Sequence, residues 1–107
     1  MHVPEMTPQE YATLRQTDRA PALIDVREPW EFAHARIEGA RLLPLGGIFD
    51  WAPELNRDAS YVVMCHHGLR SAQAVLILKR LGFNDVWNLS GGIDAWARHV
   101  DSGVPVY

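Results

Sequence analysis

The segment Cys65-His66-His67-Gly68-Leu69-Arg70-Ser71 gathers a lone thiol, a glycine, an arginine and the start of a helix within seven residues. Together they favour one chemistry. A tight loop running into a helix leaves successive backbone N–H groups unpaired and directed inward, a nest for an anion reinforced by the positive end of the helix dipole. A thiol placed there has its thiolate stabilised and becomes nucleophilic near neutral pH. Arg70 adds a permanent charge on a planar fork of donors suited to a tetrahedral oxyanion, and Gly68 fits a backbone position of positive φ. The competing reading is inert packing, since free Cys is among the most buried residue types; the adjoining Gly68, Arg70 and helix start favour reactivity. His66 and His67 read either as a solvated loop pair or as partners of the anion. Next to one cysteine they also suggest zinc, but closed zinc sites draw four ligands at recognisable spacings and His2, His34 and His99 are scattered, which argues against a metal.

Such a loop has to be held at the end of a strand. Tyr61-Val62-Val63-Met64-Cys65, β-branched and aromatic, predicts one that stops abruptly at His66-His67-Gly68. From Ser71 to Leu81 apolar residues fall at 74, 75, 77, 78 and 81 with Gly82 directly after, the pattern of a helix with a broad buried face and a glycine cap. Upstream, Thr7-Pro8-Gln9-Glu10 opens a helix running from Pro8 to about Arg15. Ala22 to Val26 reads as a buried strand containing the polar Asp25, Pro29 begins a short helix reaching His34, and Arg41 to Leu43 reads as a brief strand. Residues 46–53 are turn-rich, with a helical turn expected around Phe49 to Trp51. Asp85 to Leu89 is a further strand, Gly91-Gly92 permit close backbone approach, and Ile93 to Val100 form a last helix. Strands alternating with helices predict a parallel sheet covered on both faces, in which ligands bind beyond the carboxyl ends of the strands. Cys65 lies at such an end.

Composition narrows the partners. The 107 residues suit one compact domain, and 48% apolar with 21% charged residues is ordinary for a globular protein. A net charge of −3 supplies no global positive field for nucleic acid or anionic lipid. A single cysteine excludes an intramolecular disulfide, and no apolar run approaches the roughly 20 residues of a membrane span. A reducing, cytoplasmic location is the default expectation.

Several segments, taken together, resemble the rhodanese family of sulfurtransferases. Cys65 to Ser71 is similar to its active-site loop; Leu23-Ile24-Asp25-Val26-Arg27-Glu28-Pro29 with Glu31-Phe32, and Ile37-Glu38-Gly39-Ala40, are similar to its two N-terminal signatures. Asn88-Leu89-Ser90-Gly91-Gly92-Ile93 with Ala95-Trp96 is similar to its C-terminal one. The resemblance implies a three-layer α/β/α fold with a five-stranded parallel sheet, and a Cys65 that carries sulfane sulfur as a persulfide. It implies sulfur taken from thiosulfate or a similar donor and passed to cyanide, a thiol or a partner protein, with His66, His67, Gly68, Leu69, Arg70 and Ser71 around the substrate and no cofactor. Asp25, a carboxylate on a buried strand, needs a partner, so it is read as orienting a loop or pairing with an arginine, with Arg27 beside it behind the reacting residues. The chain departs from the family at Ala35-Arg36-Ile37, where Gly-His-Ile is common, and Trp30 and Trp51 match no motif and read as packing or pocket rim. Two competitors are a sulfur-relay or protein-binding module and a cysteine phosphatase. The phosphatase pattern has one more residue than the four between Cys65 and Arg70.

Overall fold

The computed structural model describes residues 2–107. Its strands are β1 (Glu5–Met6), β2 (Ala22–Asp25), β3 (Arg41–Leu42), β4 (Ser60–Met64) and β5 (Asp85–Leu89). They form one sheet in the order β1-β5-β4-β2-β3, with every pairing parallel. The helices are α1 (Pro8–Leu14), α2 (Pro29–His34), α3 (Ile48–Trp51), α4 (Leu69–Arg80) and α5 (Gly92–His99).

Alternation along β4 builds the core on both sides. Tyr61, Val63 and Cys65 join Ile48 of α3 and Ala74, Val75 and Leu78 of α4 on one face. Val62 and Met64 join Tyr11 of α1 and Ile93, Trp96 and Ala97 of α5 on the other. Burial of the strand on both faces explains its uninterrupted apolar run; Val62, Val63 and Met64 have no exposed surface, and each such side chain contributes about 1.5–3 kcal/mol. The result is the three-layer α/β/α fold with a five-stranded parallel sheet.

Strand order also selects the site. From β2 the chain moves outward to β3, and from β4 it moves the other way to β5, so the topological switch lies between β2 and β4. Ligands of open α/β sheets bind outside the carboxyl ends at such a switch. Asp25 pairs with Met64 in register there, which brings Arg27 and Cys65, each just beyond its strand, to the same rim.

Local signals account for most boundaries. Thr7 and Glu10 close a capping box, with Glu10 N–H donating to Thr7 Oγ1 at 3.1 Å and Thr7 N–H to Glu10 Oε1 at 2.8 Å. Three differences from the sequence reading stand out. The two-residue β1, carrying no apolar pattern of its own, pairs Glu5 with Asn88 and Met6 with Leu89. Residues 45–54 form two 3-10 turns flanking α3 rather than an isolated helical turn. Helix α4 opens at Leu69, two residues before Ser71, because Gly68 at φ +102° turns the chain directly into it.

Candidate active site

The loop between β4 and α4 wraps the sulfur of Cys65, whose residue is 1% exposed. Sγ accepts from Gly68 N–H at 3.1 Å and from Ser71 N–H at 3.4 Å, and lies 3.3 Å from Ser71 Oγ. Two backbone donors thus converge on one atom, with the Ser71 hydroxyl, whose proton goes to Asn88 Oδ1, packed beside them. This is an arrangement that stabilises a negative sulfur.

The loop's carbonyls face the other way. Ile93 N–H in the first turn of α5 donates to Cys65 O at 2.9 Å, and Asp94 N–H donates to His66 O at 3.1 Å. The loop therefore fills orphan donors of α5 while α5 fixes its peptide planes. Gly92, at φ +60°, makes this approach possible, since a Cβ there would collide with the carbonyl oxygens of Cys65 and His66. Asn88 of β5 braces the loop from beneath: its Nδ2 donates to Gly68 O at 3.1 Å, and its Oδ1 meets Ser71 Oγ.

Behind the loop runs a chain of alternating charges. Arg27 and Asp25, neither with exposed side-chain surface, pair through Nε to Oδ1 at 2.9 Å and Nη2 to Oδ2 at 2.7 Å. Arg27 also donates from Nη2 to Ala35 O at 2.6 Å and from Nη1 to the Tyr107 hydroxyl at 2.6 Å. Tyr107 in turn donates to Glu31 Oε2 at 2.8 Å. Glu31 receives Arg70 fork to fork, Nη1 to Oε1 at 2.6 Å and Nη2 to Oε2 at 2.9 Å. Those bonds hold the Glu31 carboxyl down at about 2 against the opposing effect of burial, assisted by the Glu28 amide and Tyr107. The Arg70 guanidinium is raised by the same pair. Burial lifts the Tyr107 phenol above its ordinary range.

The sequence reading pointed Arg70 at an anionic donor. In the structure its fork is occupied by Glu31 instead, because a bidentate carboxylate of matching geometry stands beside it. Leu69 begins α4 and is 81% exposed. His66 is stacked between Tyr107, at 3.9 Å and 4°, and His67, at 3.9 Å and 27°. His66 Nε2 lies 2.7 Å from the main-chain oxygen of Tyr107, and since that oxygen accepts, the nitrogen carries the proton. His67 is exposed.

Among the described residues, His66, His67 and Asp94 each bring one ligand atom within 4.8 Å of the others. Of these, His66 Nε2 is engaged by Tyr107, and Asp94 Oδ2 accepts from Arg98 at 3.0 Å. Arg36 lies over the Phe32 ring at 4.9 Å. Trp51 packs on the core and donates to Pro44 O at 2.9 Å, whereas Trp30 is 65% exposed and sets its edge against Tyr107.

Three residues of the site had no assigned role from sequence. Glu31 and Asn88 stood inside motifs without a partner to explain them, and Tyr107 lay outside every motif. No local pattern signals a contact spanning 76 residues, the separation of Tyr107 from Glu31.

Residues 7–99 match the family described as the rhodanese-like domain. The chain is 38% identical over 104 residues to the "Probable adenylyltransferase/sulfurtransferase MoeZ" of Mycobacterium tuberculosis, covering 95% of this chain and 26% of that protein. It thus spans about a quarter of that longer relative. To the thiosulfate sulfurtransferase GlpE of Pseudomonas putida it is 35% identical over 89 residues, 83% of this chain and 80% of the relative. A rhodanese-like domain protein from Staphylococcus aureus superposes with a TM-score of 0.84 at 30% identity, covering 98% of this chain and 99% of that one. With the loop, the sheet order and these likenesses in agreement, the chain belongs to the rhodanese-like domain family of sulfurtransferases.

Proposed function

We propose that residues 1–107 act as one sulfurtransferase domain that takes sulfane sulfur from thiosulfate or a similar donor onto Cys65 and hands it to a thiophilic acceptor. The Cys65 thiolate attacks the outer sulfur of thiosulfate, the donor S–S bond breaks, and sulfite departs with the bonding pair. The negative charge stays on the outer sulfur of the new persulfide. Cyanide, a thiolate or a partner protein's thiolate then attacks that sulfur and releases the Cys65 thiolate. Sulfur itself is the carried group, so this cycle calls for no cofactor. His66, His67, Gly68, Leu69, Arg70 and Ser71 form the binding loop, and Asp25 with Arg27 supports it from behind. A reducing cytoplasm, which keeps a lone thiol free, suits this work.

The observation that carries this reading is the convergence of Gly68 N–H and Ser71 N–H on Sγ at 3.1 and 3.4 Å. Such preorganised donors stabilise charge on sulfur without rearrangement during reaction. The short spacing between Cys65 and Arg70, and the engagement of Arg70 by Glu31, favour a cradle for sulfur over one for phosphate.

Intact mass tests it. Thiosulfate treatment is expected to add one sulfur atom, removable by cyanide or dithiothreitol, and Cys65→Ser is expected to stay folded without the adduct. An adduct that persists in Cys65→Ser, or none in the wild type with any sulfane donor, overturns the reading. Cys65-dependent hydrolysis of aryl phosphates would move the assignment to the phosphatase.

A further inference from the structure

A doubly charged donor approaching Cys65 gains from cationic N–H groups turned toward it, and the structure commits several of those groups elsewhere. Both terminal nitrogens of Arg70 are held by Glu31. Arg27 spends its donors on Asp25, Ala35 O and the Tyr107 hydroxyl. The proton on His66 Nε2 points at Tyr107 O. Asp25, Arg27, Glu31 and Arg70 sum to zero charge, so these four side chains together add no net attraction for an anion, and Asp94 lies beside the imidazoles.

Tyr107 links these commitments. Its hydroxyl bridges Arg27 and Glu31, its carbonyl takes the His66 proton, and its ring lies flat on the His66 imidazole with Trp30 and His34 edge-on around it. Holding Glu31 Oε2 at 2.8 Å, it steadies the carboxylate that occupies Arg70. We infer that Tyr107 is a specificity-determining positioning residue that biases this site away from dianionic donors and toward sulfane donors with one negative charge or less, such as organic thiosulfonates and persulfides. It does so as an internal competitor: its main-chain oxygen and the carboxylate it braces occupy the His66 and Arg70 donors that a second donor charge would seek. This rests on the proposed sulfur transfer and refines its donor.

The experiment compares two donors that differ by one charged oxygen. Thiosulfate is a dianion; methanethiosulfonate, with a methyl in place of one oxygen, is a monoanion. Each gives up its outer sulfur to the Cys65 thiolate, releasing sulfite or methanesulfinate respectively. The wild type is expected to show the lower KM for methanethiosulfonate. In Tyr107→Ala, which removes the ring and loosens the carbonyl, KM for thiosulfate is expected to fall about tenfold relative to that for methanethiosulfonate, the scale of one freed charge-assisted hydrogen bond. The change in kcat is expected to be far smaller. Tyr107→Phe, which keeps the ring and the backbone contact, is expected to move the ratio the same way by about threefold, and it tests the hydroxyl even if the alanine variant folds poorly. Adding His66→Gln to Tyr107→Ala is expected to cancel most of the gain, which general loosening of the fold would not do. A donor ratio that stays at the wild-type value in both single variants, or shifts against thiosulfate, overturns the role of Tyr107. Sulfur transfer from both donors in that case leaves the sulfurtransferase reading standing; no Cys65-dependent transfer from either removes both.

Discussion

Glu31 and Arg70 meet as two parallel hydrogen bonds of 2.6 and 2.9 Å, joining α2 to the first turn of α4 across 39 residues of sequence. The Glu31 side chain is 5% exposed and that of Arg70 36%. The pair therefore has one buried partner and one partly screened partner.

The first expectation concerns acid. The Glu31 carboxyl is held at about 2 in the folded protein against an ordinary 4.5, so the unfolded chain binds its proton first as pH falls. The stabilisation is complete above about 4.5 and fades as pH falls from there toward 2. Thermal midpoints across this range are expected to fall less steeply in Glu31→Gln than in the wild type, after allowing for the lower midpoint of the variant near neutrality. Parallel curves would show that other carboxylates carry the acid response.

Arg70→Lys keeps the charge and loses the fork. Because the arginine is more than one-third exposed, screening limits the loss of stability to about 1 kcal/mol or less at low salt, shrinking as salt is added. Denaturant melts at two ionic strengths check this. A deficit indifferent to salt would point to lost packing of the guanidinium instead.

Asp25→Asn removes the only carboxylate among the described residues that the side chain of Arg27 bonds directly and leaves a guanidinium with no exposed surface. Breaking one side of a buried pair costs about 3–5 kcal/mol. Replacing both, as Asp25→Leu with Arg27→Met, is expected to recover part of that stability, since no charge is then stranded. Urea titration of the single and double variants measures it, and a double variant less stable than Asp25→Asn would contradict the account.

Gly92→Ala sets a methyl against the carbonyls of Cys65 and His66 at φ +60°. Strain of this kind costs on the order of 1–3 kcal/mol, and relief requires the Cys65 loop to move away from α5. A drop in melting temperature is expected together with a loss of sulfur uptake of at least tenfold. Full activity in a destabilised protein would mean the loop keeps its shape without α5.

Sequence alone made the frame readable where a residue's environment is local or periodic. Tyr61 to Met64 had to be a strand buried on both faces, and Thr7 to Glu10 carried its own capping chemistry. The Cys65 loop was legible for the same reason, its thiol, glycine and helix start lying within a few residues of one another. Long-range partners were not. The strand β1 exists because β5 offers it an edge, and nothing in Glu5–Met6 announces that. Asp25 signalled that it needed a partner, yet the continuation through Tyr107 and Glu31 to Arg70 joins three distant stretches of chain. The resemblance to a known family supplied the fifth strand in advance; the residues by themselves showed four.

The two hydrogen bonds from α5 to the carbonyls of Cys65 and His66 have a consequence for the energetics of turnover. Peptide groups are dipoles, and anchoring their oxygen ends on α5 leaves the loop unable to swing a carbonyl toward the sulfur as its charge changes. In water, solvent dipoles would have to reorient around the anion at every charge transfer. Here the polarity around Sγ is set once, when β5 and α5 dock, and would stay aligned through the proposed loading and unloading of sulfur.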